Sequence, residues 1–232
     1  MAADDEVTPA GDGPIAPAGA RTRTKICGLT REVDVDAVVA AGADAVGVVV
    51  DVPVDTPREV PAERAAALVD RVPPFVTTVL VTFPDRAAAL VGETGVDAVQ
   101  LHGEVAPADL ERLRESTGAA VVKTVDAGVD RETARRYADA ADAIHLDSTD
   151  AAGAGGTGRT HDWTASGDLV ADLPVPVVLA GGLTPENVAE AVAAAGPFAV
   201  DVASGVESAG GVKDHDAVRA FVDRAASAGA SG

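Results

Sequence analysis

One unit recurs eight times along this chain, and it limits the possible folds more than any other feature. A short β-branched run is followed each time by a stretch of helical periodicity. The expected strands are 22–27, 45–50, 76–82, 98–101, 120–125, 143–146, 175–180 and 198–202. Apolar side chains recur at i, i+3 and i+4 in Val35/Val38/Val39, in Val188/Ala191/Val192/Ala195 and in Val218/Phe221/Val222/Ala225. Pro61, Pro84, Pro107 and Pro185 stand where helices should begin, at a position whose N–H has no helical partner anyway. Thr30 and Thr184 are the expected N-caps of the first and seventh helices. The strand runs are nearly all apolar, as parallel strands buried on both faces require. An unbroken series of such units closes most simply into a (β/α)₈ TIM barrel, a single α/β domain. An open doubly wound sheet of the nucleotide-binding kind would carry Gly-x-Gly-x-x-Gly after its first strand. That turn reads Cys27-Gly28-Leu29-Thr30-Arg31-Glu32 and lacks the later glycines. The barrel is expected over 21–228, with a disordered acidic tail at 1–20 and a frayed C-terminus at 229–232.

Charge then narrows the partners. Acidic residues number 37 against 18 basic ones, a net charge of −19. Such a surface repels nucleic acid and anionic membranes, so neither is an expected partner. No uninterrupted apolar run reaches about 18 residues, and the N-terminus has neither a basic nor an apolar leader region. A single cysteine provides no disulfide framework within the chain, so a reducing cytoplasm is expected. The abundance of aspartate, alanine and valine, with only three lysines, resembles the composition of cytosolic proteins from salt-loving organisms.

In a barrel of this kind the reacting groups come from the C-terminal ends of the strands. Those ends carry Cys27, Arg58 in the loop after the second strand, Gln100, His102 and Asp147. The last two strands end in the turns Gly181-Gly182 and Ser204-Gly205, where backbone N–H groups can approach an anion such as a phosphate. A third glycine cluster, with Gly156 and Gly158, follows the sixth strand. A lone cysteine is by default a small buried hydrophobe, and a lone histidine is more often structural than catalytic. The gathering of Cys27, Asp147 and the glycine turns at one end argues for chemistry. The four histidines lack metal-ligand spacing with the cysteine, so no metal is expected.

Lys25-Ile-Cys-Gly-Leu-Thr30, Val99-Gln-Leu-His-Gly103, Gly155-Gly-Thr-Gly158 with His161-Asp-Trp163, Gly181-Gly-Leu-Thr-Pro-Glu-Asn187 and Val200-Asp-Val-Ala-Ser-Gly-Val-Glu207 occur in this order. Together with Ala43-Asp-Ala-Val-Gly47, they resemble phosphoribosylanthranilate isomerase from Thr24 to about Arg224. The segment 51–58 lacks that family's usual aromatic residues, and residues before Arg21 have no counterpart in it. The resemblance implies a cofactor-independent Amadori rearrangement in tryptophan biosynthesis, with a small phosphorylated molecule as the partner. It implies Asp147 as general acid, with a raised pKa, and Cys27 as general base, with a pKa lowered from the free thiol value near 8.5. It also implies the phosphate on the turns at Gly181-Gly182 and Ser204-Gly205, Gly156, Gly158 and His102 as substrate contacts, and the anthranilate carboxylate on Arg58. Two other readings stay open from the residues alone. One is another sugar-phosphate isomerase or epimerase, and the other is a barrel that binds a phosphometabolite without catalysis.

Overall fold

The β-branched runs become eight short strands in the computed structural model, which describes residues 21–147 and 163–229. They are β1 (Arg23–Ile26), β2 (Ala45–Val49), β3 (Thr77–Thr82), β4 (Ala98–Leu101), β5 (Ala120–Asp126), β6 (Ala143–Asp147), β7 (Val177–Leu179) and β8 (Ala199–Val202). Each pairs with the next in parallel, and β8 returns to β1 with Arg23 opposite Ala199 and Ile26 opposite Val202. The barrel is therefore closed, and none of its eight strands has an open edge. The intervening helices are α1 (Glu32–Ala40), α2 (Ala62–Val69), α3 (Ala87–Thr94), α4 (Pro107–Thr117), α5 (Arg131–Ala138), α6 (Trp163–Asp172), α7 (Val188–Ala195) and α8 (His215–Gly229).

Alternation along the strands separates two interiors. Ile26, Leu80, Val99, Ile144, Leu146, Leu179 and Val200 lie in one buried cluster with Leu68, Leu90, Leu110 and Phe221 of the helices. Burying one such side chain contributes about 1.5–3 kcal/mol, so this layer between strands and helices holds the fold. The alternate positions face the barrel axis and carry polar groups near its mouth, among them Lys25, Gln100, His145 and Asp201.

Local signals decide the boundaries. Pro107 opens α4, and Gly118 closes it in the left-handed region at φ 72°. Asp130 caps α5, its carboxylate accepting the Thr133 N–H at 2.9 Å. β7 is shorter than expected because Pro176 has no N–H for the ladder, so pairing begins at Val177. Two expected caps are corrected. The Thr30 hydroxyl donates to the Gly211 carbonyl at 2.6 Å, and α1 starts after Arg31. Thr184 accepts the Glu186 N–H at 3.2 Å within a turn, and α7 starts only after Asn187. Gly229, expected in the frayed end, is the last residue of α8. The tail at 1–20 and residues 230–232 lie outside the described residues.

One element was not expected. Between β8 and α8 the chain forms a short turn of 3₁₀ helix (Ser204–Val206) and then an antiparallel hairpin, β9 (Glu207–Ala209) and β10 (Val212–Lys213).

Candidate active site

The backbone of Cys27 continues the barrel ladder beyond β1, its N–H donating to the Val202 carbonyl at 2.8 Å. Regularity to this point places Lys25 and Cys27 on the same inward face. Gly47 on the neighbouring strand makes room for the thiol, since a Cβ at that position would lie 2.8 Å from Sγ. Below the thiol, the Lys25 ammonium donates to Asp201 Oδ2 at 2.9 Å, and His145 Nε2 meets the same oxygen at 2.9 Å. The other imidazole nitrogen of His145 lies 3.4 Å from the Thr124 hydroxyl. All four side chains are buried. The second oxygen of Asp201 is buried and has no hydrogen-bond partner among the described residues.

This environment corrects the expectation of a lowered thiol pKa. Burial pushes the Cys27 thiol up, and the Asp201 carboxylate adds to that. Lys25 and Lys213 pull it down without overcoming it, so the net direction is upward. Burial also opposes the charged forms of the pair beneath. Even so, Asp201 and Cys27 raise Lys25, while Lys25 and His145 hold the Asp201 carboxyl well below the usual carboxylate range.

Asp147 ends β6, is buried and lines the same cavity as Cys27, with β7 and β8 between their strands. Gln100 and His102, two residues apart on one face of β4 and its end, meet at 3.2 Å and line the cavity too. Phe83, beyond β3, presents its ring 6.1 Å from that of His102.

Arg58 is brought to the mouth by the β2–α2 loop, but one edge of its guanidinium is engaged. Its Nε and Nη2 donate to the two oxygens of Glu207 at 2.9 and 2.8 Å. The Lys213 ammonium donates to Glu207 at 2.8 Å and to the Ala203 carbonyl at 3.0 Å. Burial pushes the Glu207 carboxyl up, and the two cations outweigh it, so it is held below its ordinary value.

The glycine turns stand side by side. Asn187 fixes the first, donating to the Gly182 carbonyl at 2.9 Å and accepting the Thr184 N–H at 2.8 Å. Gly205 packs directly on it, and a Cβ there would collide with the Leu183 carbonyl. Gly156 and Gly158, and His161 with them, lie outside the described residues.

Cys27, Arg58, His102, Asp147, Gly181, Gly182, Ser204 and Gly205 all line one cavity of about 360 Å³, within the usual size range of small-ligand sites. Sequence reasoning missed Asp201, Glu207 and Lys213 as members of the constellation. The alternation of His145 with Asp147 and of Asp201 with Ala203 was the available signal for the buried chain. Among the described residues, no group of three or more His, Cys, Asp or Glu side chains could hold a metal ion, and no helix is long and apolar enough to cross a membrane.

Comparison with known proteins places this arrangement among relatives. A family model described as N-(5'-phosphoribosyl)anthranilate isomerase matches residues 24–224. An N-(5'-phosphoribosyl)anthranilate isomerase of Haloferax volcanii is 60% identical over 210 residues, covering 89% of this chain and 94% of that protein. One from Natronomonas pharaonis is 56% identical over 207 residues, covering 88% and 98%. Among solved structures, the phosphoribosyl anthranilate isomerase of Thermotoga maritima superposes with a TM-score of 0.77 at 36% identity, covering 88% of this chain and 98% of the other. A phosphoribosyl anthranilate isomerase in complex with reduced 1-(o-carboxyphenylamino)-1-deoxyribulose 5-phosphate gives 0.74 at 34%, with the same coverage.

Proposed function

The chain belongs to the N-(5'-phosphoribosyl)anthranilate isomerase family, and from that premise we propose how the mouth of its barrel carries out the family reaction. That reaction is an Amadori rearrangement of N-(5'-phosphoribosyl)anthranilate to 1-(2-carboxyphenylamino)-1-deoxyribulose 5-phosphate, an aldose–ketose isomerisation. The observation that carries the assignment of roles is the sharing of one cavity by Cys27, Asp147, Arg58 and the paired glycine turns.

The phosphate lies against the turns at Gly181-Gly182 and Ser204-Gly205, where backbone N–H groups and small residues suit an anion. The anthranilate ring lies toward Val49, Val81 and Phe83, and its carboxylate toward the unengaged edge of Arg58. Asp147 gives its proton to the ribose ring oxygen as the bond from that oxygen to C1 breaks, leaving a protonated imine between C1 and the anthranilate nitrogen. Cys27, as thiolate, then removes the proton from C2. The electron pair of that C–H bond moves into the C1–C2 bond and neutralises the imine, giving an enolamine. Protonation at C1 and loss of the O2 proton yield the ketone. The free oxygen of Asp201 is available to a ribose hydroxyl.

The raised thiol pKa fits this sequence. The cationic imine next to Cys27 favours the thiolate at the step that needs it. Because Cys27 must remain a free thiol, the reading calls for a reducing compartment, consistent with the expected cytoplasmic location. The test uses purified protein in molar KCl with no added metal or nucleotide. It should consume fluorescent phosphoribosylanthranilate and form the ketose phosphate. Protein that binds the substrate without converting it would contradict the proposal.

A further inference from the structure

Glu207 and Lys213 do not line the cavity, yet they form a buried ionic chain that ends on a residue that does. Glu207 occupies the Nε–Nη2 edge of Arg58 with both carboxylate oxygens. Alone, that pairing would cancel the charge of Arg58 and spoil it as a site for an anion. Lys213, bonded to the other side of Glu207, restores a net positive charge to the trio. The hairpin that carries both residues is docked on the Arg58 loop. Gly210 and Gly211 at its tip lie so close to Pro57 that a Cβ on either would collide with it. On its other flank, Thr30 donates to the Gly211 carbonyl at 2.6 Å, and Asp34 accepts the Lys213 N–H at 3.3 Å.

Stability alone is a poor explanation for such a chain, because desolvating buried ions offsets most of what their attraction returns. We propose that the β9–β10 hairpin is a specificity device in which Glu207, held by Lys213, positions Arg58 so that its remaining edge meets the carboxylate of the anthranilate ring. This rests on the reading of Arg58 as the carboxylate site. Glu207 is a positioning residue: it acts through Arg58 and touches no reacting atom. Planarity makes the device effective, since fixing one edge of a guanidinium fixes the direction of the other. The hairpin thereby gives the barrel a preference for carboxylated aromatic amines at the position opposite the phosphate.

The experiment measures calorimetric binding of two ligands in molar KCl. One is reduced 1-(o-carboxyphenylamino)-1-deoxyribulose 5-phosphate, and the other is the same compound without the ring carboxylate. The proteins are wild type, Arg58→Ala, Glu207→Gln, Arg58→Ala/Glu207→Gln and Glu207→Gln/Lys213→Met. The last removes both buried charges and serves if Glu207→Gln alone does not fold. Arg58→Ala should weaken the carboxylated ligand by about 10–100-fold, and Glu207→Gln by about tenfold, with the second ligand unaffected by either. In turnover, Glu207→Gln should raise KM more than it lowers kcat. Adding Glu207→Gln to Arg58→Ala should change nothing further, because the two act as one unit. The positioning role is overturned if Arg58→Ala discriminates between the ligands and Glu207→Gln does not, or if the two effects add. An Arg58→Ala protein that loses both ligands equally would overturn the carboxylate reading itself.

Discussion

Apart from Arg58 at the cavity mouth, the described basic residues divide by type between the barrel interior and the outer surface. The three lysines, Lys25, Lys123 and Lys213, are all buried. Lys25 and Lys213 each meet a buried carboxylate near the cavity, and Lys123 donates to the Gly103 and Thr124 carbonyls. The described outer surface uses arginine against aspartate and glutamate. Arg71 after α2 grips Asp36 of α1, and Arg135 of α5 grips Asp172 of α6 through two side-chain bonds. An ammonium is a compact charge that can sit under a thiol or behind a carboxylate, whereas a guanidinium forks across a gap between helices. Two of the interior cations, Lys25 and Lys213, thus stand against carboxylates beside the candidate site. Surface cations link neighbouring helices within an envelope whose net charge is −19.

The largest effects should come from the interior. Cys27→Ala and Asp147→Asn should each lower kcat/KM by about 10²–10⁴-fold in steady-state assays, while the reduced product analogue still binds. Arg71→Ala should leave turnover unchanged, and a comparable loss there would erase the contrast between the regions. Next is Gly47→Ala, whose added methyl must turn Sγ of Cys27 away. Because small misplacements of reacting groups are costly, kcat should fall by up to about 10²-fold with the fold retained, as checked by circular dichroism.

Lys123 sharpens the comparison in stability. Burial lowers its pKa from 10.5 to about 8, with Glu104 acting in the opposite sense. Below pH 8 both the folded and the unfolded chain hold this proton, and the folded state bears the full penalty of the buried charge. Between about 8 and 10.5 the unfolded chain binds more protons, so this group makes stability rise with pH. Relative to wild type, Lys123→Met should therefore lose stability across that window, by at most ~1.4 kcal/mol per pH unit in denaturant titrations. A constant difference would show that Lys123 does not lose its proton there.

The smallest effects per residue belong to the surface. Single exposed ion pairs contribute little, but the summed repulsion of an acidic envelope responds to salt. The screening length falls from about 10 Å at 0.1 M to about 3 Å at 1 M. The melting temperature should rise between tenths of molar and molar KCl, and a flat or falling series would remove the salt-adapted reading of the surface.

Much of this was readable from spacing. The strand at 98–101 matches β4 residue for residue, because an apolar run is bounded there by Asp97 and by the Gly103 turn. The cavity-lining residues Cys27, His102 and Asp147 were legible as polar groups at strand ends. Their inward neighbours were partly legible, since Lys25 and His145 stand two residues before Cys27 and Asp147. The hairpin was not, although Gly210-Gly211 is a hairpin turn signal, because strands of three and two residues are too short to show alternation. Nor could sequence give the direction of the thiol pKa. That depends on the thiol's burial and on a carboxylate from β8, which only closure of the barrel brings beneath β1.

The claim that Cys27 is the base has one direct measurement: the pH dependence of its alkylation by iodoacetamide beside that of kcat/KM, both on free enzyme. The account predicts an inflection common to the two curves, displaced upward from the ordinary thiol value, because burial outweighs the lysines. In Asp147→Asn, where that carboxyl no longer titrates, residual kcat/KM should rise with pH toward the same inflection. Curves with no common inflection, or alkylated protein that retains its turnover, would contradict it.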